Sequence, residues 1–319
     1  MRFADLVQSQ NLQIFRYRDI DHFRQGFRRA SVDIVPLANA AGPLGQAVLS
    51  LPGCDIYLLR TFPRIVHAML ESCSAFIMLS MKDLPSAIFN GREVVQSELQ
   101  FARGPAEYRA VEREPGYYAA LVFPPFTGDR GWPDANGEFL TIPISRGLEL
   151  RLRELITLLF ATVSRNPDLT SIPGAGAGLG DSLLEALDLA FDRYLSVRSP
   201  GKERFPDSLR ALRTIDDLVD SSSWSAVYSG DIAARLGVSV RTLNNLMVKT
   251  NGMSLHRYVR LRRLWAVRRQ LLSGDPRRQI KEVALANGFW HLGDFAAKYC
   301  SQFGELPSST LMSAQSRRS

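Results

Sequence analysis

The spacing of apolar residues changes along the chain, from short runs in the first part to a helical period in the second. Between residues 11 and 139, apolar or alternating runs are separated by Pro, Gly and Asn residues that favour turns. Runs of this kind predict β-strands, and their regular succession favours a sandwich or barrel. We therefore predict a small β-barrel or jelly roll of cupin type. The clearest strand candidates are 47–51, 55–59, 75–79 and 119–123.

The pair Asn90-Gly91 is the sharpest turn signal in this part of the chain. Both residue types tolerate the positive φ angles that a tight two-residue turn demands. The pair therefore predicts a β-hairpin.

Helical spacing takes over near Ser145, and a second amphipathic helix is predicted at 181–191. Glycines are frequent between the two helices, at 171–180. No clear strand precedes these glycines and no Gly-Lys-Ser/Thr sequence follows, so we expect a flexible connection rather than a phosphate-binding loop. The sequence at 199–202, Ser-Pro-Gly-Lys, marks the expected start of an interdomain linker.

The same short sequence pattern occurs twice in the remaining, helical part of the chain. Each copy is a small-residue helix, a turn at a glycine and a second helix, with the turns at Gly237 and Gly288. This is the layout of a helix-turn-helix, and we place the two units at about 229–250 and 279–303. The predicted fold is therefore α+β. The predicted domains are 1–145 for effector binding or dimerisation, 146–204 for helices and linker, and 205–314 for an all-α domain.

The first unit has the residue types that the motif requires. Ala233 and Ala234 are small enough for a close helix crossing, Gly237 permits the turn, and Ser239 can cap the second helix. With the apolar residues inside, five polar side chains are expected to face outward. Arg can reach guanine and Asn adenine in the major groove, whereas Thr and Lys more often contact phosphate. The five are Arg241, Thr242, Asn244, Asn245 and Lys249. A solvated helical hairpin without DNA remains the alternative.

One continuous helix is predicted between the two units, at 254–272. Its length would be about 28 Å, against about 34 Å between successive major-groove positions on one face of B-DNA. A rigid spacer of this length can present two helices to adjacent groove segments if the DNA bends.

The net charge of +7 is concentrated in the C-terminal part. From residue 206 onward there are 17 Lys/Arg against 9 Asp/Glu, while the preceding residues hold 22 against 23. A basic domain beside a neutral one suits phosphate neutralisation. No run approaches about 20 uncharged apolar residues and no secretory h-region is evident, so a cytoplasmic protein without a membrane span is expected.

The sequence offers no catalytic constellation, metal site or cofactor motif. His22 and His67 are the histidines of the first half and lack the close spacing of a metal-binding cupin. Acidic and basic residues mix in its later strands, which we interpret as a solvated surface. They are Glu93, Glu98, Glu107, Glu112, Glu114, Arg92, Arg103, Arg109 and Arg113. The sequence assigns no effector-binding residues.

The C-terminal residues, about 100 in number, resemble the DNA-binding domain of the AraC/XylS family. The resemblance implies a bacterial transcription regulator, usually an activator, with an N-terminal effector-binding or dimerisation domain that is often cupin-like. Its expected partners are double-stranded promoter DNA, RNA polymerase, a small-molecule effector and a second copy of the chain. The matching positions are Ala234, Gly237, Ser239, Leu243, Gly252, Ser254, Tyr258, Arg262, Ala266, Leu271, Ile280, Ala284, Gly288, Phe289, Phe295, Phe303, Gly304 and Pro307. Residues 288–308 resemble most closely the regulators of ethanolamine utilisation (EutR).

By this resemblance the base-facing positions are Arg241, Asn244 and Asn245 in the first unit. In the second unit they are Leu292, Gly293, Asp294 and Ala297. Two departures from the family pattern matter: Asn245 and Ala297 stand where many relatives carry arginine, and Cys300 replaces a common lysine. The second helix-turn-helix therefore presents few groups that read bases directly. Trp290, His291 and Lys298 are then expected to contact thymine methyl groups or phosphates, or to recognise the shape of the DNA groove. In the alternative, Trp290 and Leu292 pack internally and His291 only caps.

Two other functions stay open at the level of sequence. An alkyl-transfer repair enzyme with a similar DNA-binding domain would need an activated cysteine, commonly supported by a cysteine-rich zinc site. Cys54, Cys73 and Cys300 are odd in number and far apart, which favours reduced thiols used in packing. An architectural DNA binder, which responds to no effector, is the third possibility.

Overall fold

The computed structural model divides into two compact units. The first comprises Met1–Ile34, Gly42–Ala87 and Glu93–Glu203, and the second Val35–Ala41, Ile88–Arg92 and Arg204–Ser319. The structure describes residues 5–17, 23, 30–38, 44–71, 75–83, 87–124, 130–135, 137–172, 174–197, 206–221, 229–275 and 279–316. The expected linker start at 199–202, together with His22 and Cys73, lies outside the described residues.

Antiparallel strands dominate the first unit, as the short apolar runs predict. One sheet has seven strands in the order β1-β3-β4-β11-β6-β9-β12, and a second has five in the order β2-β5-β10-β7-β8. The described strands thus form two sheets rather than a closed barrel. Their bounds are β1 Leu12–Tyr17, β2 Ala30–Pro36, β3 Leu44–Leu51, β4 Cys54–Arg60, β5 Arg64–Leu70, β6 Ala75–Ser80, β7 Ala87–Phe89, β8 Arg92–Glu93, β9 Glu98–Ala102, β10 Ala106–Glu112, β11 Tyr117–Phe123 and β12 Leu140–Pro143.

The central strands of the seven-stranded sheet are buried on both faces. In β11, Ala119 and Leu121 pack on one side with helical residues, while Ala120 and Val122 pack on the other with residues of the five-stranded sheet. Because successive side chains point to opposite faces, such a strand has a continuous apolar run. The expected strands at 47–51, 55–59, 75–79 and 119–123 are all confirmed within β3, β4, β6 and β11.

The predicted hairpin at Asn90-Gly91 is present between β7 and β8. Asn90 has φ +48° and Gly91 has φ +80°, so both residues occupy the left-handed region. Two consecutive positive φ values fit a turn whose twist matches that of the flanking strands.

Two helices complete the core of the first unit, α1 at Arg146–Arg165 and α2 at Ala175–Val197. Ser145 caps α1 by accepting from the Leu148 amide at 3.2 Å. The flexible connection expected at 171–180 is wrong in its second half, because α2 begins at Ala175 and includes three of the glycines. A Cβ on Gly176 would lie 3.1 Å from Pro52 Cδ, so this glycine serves the close packing of a helix on a turn.

The second unit is helical throughout its described C-terminal part. No helix among the described residues is long and apolar enough to cross a membrane. The helices are α3 Pro206–Ser221, α4 Ser229–Arg235, α5 Val240–Asn251, α6 Leu255–Leu272, α7 Ile280–Ala286, α8 Leu292–Phe303 and α9 Pro307–Ser316.

A buried polar triad joins α3 to α6. Tyr258 donates its hydroxyl to Asp216 Oδ1 at 2.6 Å, and Arg262 Nη1 lies 3.3 Å from the same oxygen. All three side chains are less than a tenth exposed. Arg262 is therefore one of the arginines of α6 that the structure buries. Leu272, at the end of the helix, is 43% exposed.

Candidate nucleic-acid interface

The first helix-turn-helix consists of α4 and α5, joined by a turn at Gly237. Its φ of +65° lies in the left-handed region, which glycine adopts without steric cost. Ser239 caps α5 by accepting from the Thr242 amide at 3.0 Å. Ala233 is buried as expected, but Ala234 is exposed, so one small residue rather than two lies at the helix crossing.

The outer face of α5 carries the predicted DNA-binding side chains. Leu243 and Met247 are fully buried and fix the rotation of the helix. The predicted contacts therefore fall on the opposite side, where four are exposed and Asn244 is half-buried. They are Arg241, Thr242, Asn244, Asn245 and Lys249.

The second helix-turn-helix consists of α7 and α8, with Gly288 at φ +78° in its turn. Its interior is aromatic: Phe289, Phe295 and Tyr299 pack with leucines of α6. Ring centroids of Phe295 and Tyr299 lie 5.7 Å apart. His291 occupies the N-cap position of α8, but its side chain makes no capping hydrogen bond. The second helix-turn-helix thus has an aromatic core, and its second helix begins without a side-chain cap.

The start of α8 presents apolar groups to solvent. Trp290 is 62% exposed and Leu292 is 37% exposed. The alternative in which these two residues pack internally is wrong, and so is the capping role for His291. Gly293, Asp294 and Ala297 are also exposed, whereas Lys298 is half-buried. Lys298 Nζ forms an ion pair with Asp294 one turn earlier on the same helix.

The connector α6 is one continuous helix. Its 18 residues span about 27 Å at 1.5 Å per residue. The helix contacts α5, α7 and α9, so both helix-turn-helix motifs pack against the same helix. Ser254 is the N-cap of α6, and its side chain accepts a hydrogen bond from the Arg257 amide.

Some arginines of α6 are buried or paired and are therefore not free to bind phosphate. Arg268 Nη1 lies 2.8 Å from Glu305 Oε1, and its guanidinium carbon lies 4.6 Å from the Phe303 ring centroid. Burial lowers the pKa of Arg263, because desolvation disfavours the charged form. Arg257 and Arg269 on α6 are exposed. The phosphate-binding potential therefore resides in a subset of the arginines that the sequence counts.

The thiol of Cys54 is poorly suited to nucleophilic chemistry. Cys54 is buried, and burial raises the pKa of its thiol to about 12. A thiol with such a pKa holds almost no thiolate at neutral pH and is a poor nucleophile. No three His, Cys, Asp or Glu side chains lie together as a metal site in the part of the chain that the structure describes.

Sequence reasoning misjudged two charged residues of the first unit. Glu112 and Arg109, interpreted as part of a solvated strand surface, are 5% and 3% exposed. The available signal was their position within β10, where Arg109 precedes Ala110 and Glu112 follows Val111. Alternation alone does not reveal that a second layer covers each face.

Comparisons with known proteins agree with this geometry in the C-terminal region. Residues 232–313 match the sequence family described as a helix-turn-helix domain. The XylDLEGF operon transcriptional activator of Pseudomonas putida is 48% identical over 77 residues, which are 23% of this chain and 23% of that protein. XylDLEGF operon transcriptional activator 3 of the same organism is 33% identical over 113 residues, 34% of each chain. The similarity therefore spans about a quarter to a third of these relatives.

A structural comparison extends further along the chain but is weak. The AraC-like transcriptional activator CuxR covers 80% of this chain and 94% of its own, at 16% identity and a TM-score of 0.41. Residues 232–313 thus match a helix-turn-helix domain family, and part of the chain is similar in sequence to the XylDLEGF operon transcriptional activators of Pseudomonas putida.

Proposed function

We propose that this protein is a sequence-specific DNA-binding transcription regulator of the AraC/XylS type, acting as an activator. The observation that carries the proposal is the paired arrangement of α5 and α8. Each follows a tight glycine turn and buries one face, and each exposes most of the residues that the sequence assigns to DNA. A solvated hairpin would not require two such units on a common rod.

The length of α6 supports binding to one duplex. The rod spans about 27 Å, whereas successive major grooves on one face recur at about 34 Å. A moderate bend of the DNA would bring the two groove segments closer. Because α6 is a single helix packed against both units, the bend would have to occur in the DNA rather than in the protein.

The two helix-turn-helix motifs have unequal chemistry for reading bases. In the first motif, Arg241, Asn244 and Asn245 supply groups that pair with guanine and adenine edges. The exposed start of α8 offers Trp290 and Leu292, which suit thymine methyl groups and groove shape. We infer that specificity is concentrated at α5, while α8 contributes mainly affinity and register.

The first compact unit, which contains most of the strands, is proposed as the part that binds an effector and forms the dimer. Cupin-like domains have this role in the family that the sequence resembles, although the described strands here form two separate sheets. A small effector would bias two states of the regulator through its different affinity for each. RNA polymerase is the expected partner at the promoter, and the cytoplasm the expected location. The narrower resemblance to the ethanolamine-utilisation regulators does not identify the effector.

The test is selection of binding sites from randomised duplexes with the full chain, followed by fluorescence anisotropy on the selected site. We expect tight binding to one motif and at least 10³-fold weaker binding to scrambled DNA. Arg241→Ala should lose roughly 1–3 kcal/mol and relax one base position. Arg213→Ala removes an exposed arginine from α3 and is the matched control.

Two results would contradict the proposal. Equal affinity for the selected and scrambled duplexes would exclude sequence-specific regulation and favour the architectural alternative. A selected motif that is unchanged by Arg241→Ala would remove this residue from the base readers. If mass spectrometry after exposure to alkylated DNA shows a stoichiometric gain of methyl on one cysteine, the alternative of an alkyl-transfer repair enzyme is supported instead.

A further inference from the structure

The second helices of the two helix-turn-helix motifs correspond position by position. Both α5 and α8 have 12 residues, and each is followed by a glycine cap in the left-handed region. Leu243 and Met247, which are buried in α5, are matched by the buried Phe295 and Tyr299 in α8. The outward positions of one helix can therefore be compared directly with those of the other.

The outward positions of the two helices differ in side-chain length. Where α5 has Arg241 and Asn245, α8 has Gly293 and Ala297, and all four residues are exposed. Long side chains hold a DNA duplex away from the helix backbone, whereas glycine lets another molecule approach the backbone closely. The duplex can therefore come nearer to the start of α8 than to the start of α5.

Glycine at position 293 is not required by the fold. A Cβ there would meet no neighbouring group within 4 Å, and Gly293 is not among the glycines with a positive φ. Glycine is also a weaker helix former than alanine. A helical glycine that neither packing nor backbone geometry requires is suited to the close approach of a binding partner.

Asp294, the next residue, presents a carboxylate in the first turn of α8. Its side chain is 55% exposed, and its Oδ2 accepts from Nζ of Lys298 one turn later. Because the ion pair is made through Oδ2, Oδ1 is available to a donor on DNA. A carboxylate near DNA is repelled by the phosphates, and the ammonium of Lys298 offsets this repulsion.

The chemistry of a carboxylate selects among the four bases. In helix-turn-helix proteins the N-terminal residues of the second helix contact base edges in the major groove. A carboxylate only accepts, and the donors there are the N4 amino group of cytosine and the N6 amino group of adenine. Adenine N6 lies between two acceptors, its own N7 and thymine O4, whereas cytosine N4 has guanine O6 on one side only. Acceptors repel a carboxylate, so cytosine is favoured.

We propose that Asp294 reads one cytosine in the major groove that α8 enters, and that Gly293 allows this short side chain to reach the base. The carboxylate accepts a hydrogen bond from the cytosine N4 amino group. This inference rests on the proposed function of sequence-specific DNA binding. It adds one base-reading group to α8, beyond the apolar contacts of Trp290 and Leu292.

The first experiment is selection of binding sites from randomised duplexes with the natural full chain and with Asp294→Asn. The natural protein should select a cytosine about 10 bp from the position that Arg241→Ala relaxes, because the two groove segments lie one helical turn apart. Asp294→Asn should change this preference to adenine, since asparagine pairs with adenine N6 and N7. Replacing the cytosine by thymine should weaken binding of the natural protein roughly tenfold.

Glu282→Gln is the matched control for charge. It removes an exposed carboxylate from the first turn of α7, the neighbouring helix, and should leave the selected motif unchanged. A motif without this cytosine, or the same motif from Asp294→Asn as from the natural protein, would overturn the proposal.

The second experiment tests the close approach at Gly293. Gly293→Ala should weaken binding to the selected site roughly tenfold, while its Tm should not fall because alanine favours the helix. Gly178→Ala fills similarly open space at an exposed helical position in α2, and should leave DNA binding unchanged. Full affinity of Gly293→Ala for the selected site would contradict the role given to this glycine.

Failure of this inference differs from failure of the proposed function. If the natural full chain selects no motif, the proposed function is rejected and the reading of cytosine with it. If a motif is selected and relaxed by Arg241→Ala but is unaffected by Asp294→Asn, the proposed function stands and only the role of Asp294 is rejected.

Discussion

Removing the carboxylate of the buried triad should destabilise the second unit selectively. Asp216→Leu keeps a similar side-chain volume but leaves Arg262 buried without this partner and deprives Tyr258 of its 2.6 Å acceptor. Because both charged side chains are only 9% exposed, solvent cannot replace the lost interaction. Breaking one side of a buried ion pair costs about 3–5 kcal/mol.

Hydrogen exchange followed by mass spectrometry provides the local measurement. Protected amides in α6 should exchange roughly 100 to 5,000 times faster in Asp216→Leu, if exchange proceeds through unfolding of this unit. Peptides from β11 in the first unit serve as the internal control and should be unchanged. The full chain is used throughout.

A triple variant tests the physical reason for the effect. Asp216→Leu combined with Tyr258→Phe and Arg262→Met removes all the polar groups of the triad together. Replacing a buried ion pair by apolar side chains is often neutral or stabilising, so most of the protection should return. If the triple variant exchanges as fast as Asp216→Leu, or if the single variant changes exchange less than tenfold, the electrostatic reasoning is refuted.

Three further predictions follow from local contacts. Gly176→Val should lower the stability of the first unit by about 1–3 kcal/mol, measured by urea unfolding, because the added carbons meet Pro52 at about 3.1 Å; an unchanged midpoint would show that the turn yields. Ser239→Ala should cost about 1 kcal/mol through loss of the α5 cap, seen as faster amide exchange in α5, with Ser239→Asp retaining protection. Hydrogen bonds from Arg130, more than those from Trp132, lower the pKa of Asp188; its stabilising contribution is therefore present above the unfolded pKa of about 3.9 and is lost as pH falls through the lower folded value. Melting curves from pH 6 to 2 should show a steeper acid loss for the natural protein than for Asp188→Asn.

The sequence predicted the type and position of the main elements because their local signals were strong. The Asn90-Gly91 turn, the Ser239 cap and the two glycine turns follow from intrinsic backbone preferences that tertiary packing does not oppose. The placement of Arg241 on an exposed helix face also follows from the spacing of Leu243 and Met247. These features depend on residues close to one another in the chain.

Other features depended on partners far away in sequence. The glycine-rich segment at 171–180 suggested flexibility, yet Gly176 packs against Pro52, more than a hundred residues earlier. Glu112 was interpreted as a solvated charge, but its partner Arg64 lies on another strand. Charge type and local spacing do not indicate whether a second layer will cover a residue.

The sequence by itself determined that the chain has a strand-rich first part and a basic helical second part in which two pairs of helices each turn at a glycine. Tertiary structure decided that the described strands form two sheets, that Trp290 and Leu292 face solvent, and that Arg64 and Glu112 pair in the interior. The physical reason is that helix and turn propensities act within a few residues. Burial and hydrogen-bond satisfaction are set by contacts between elements that only folding brings together.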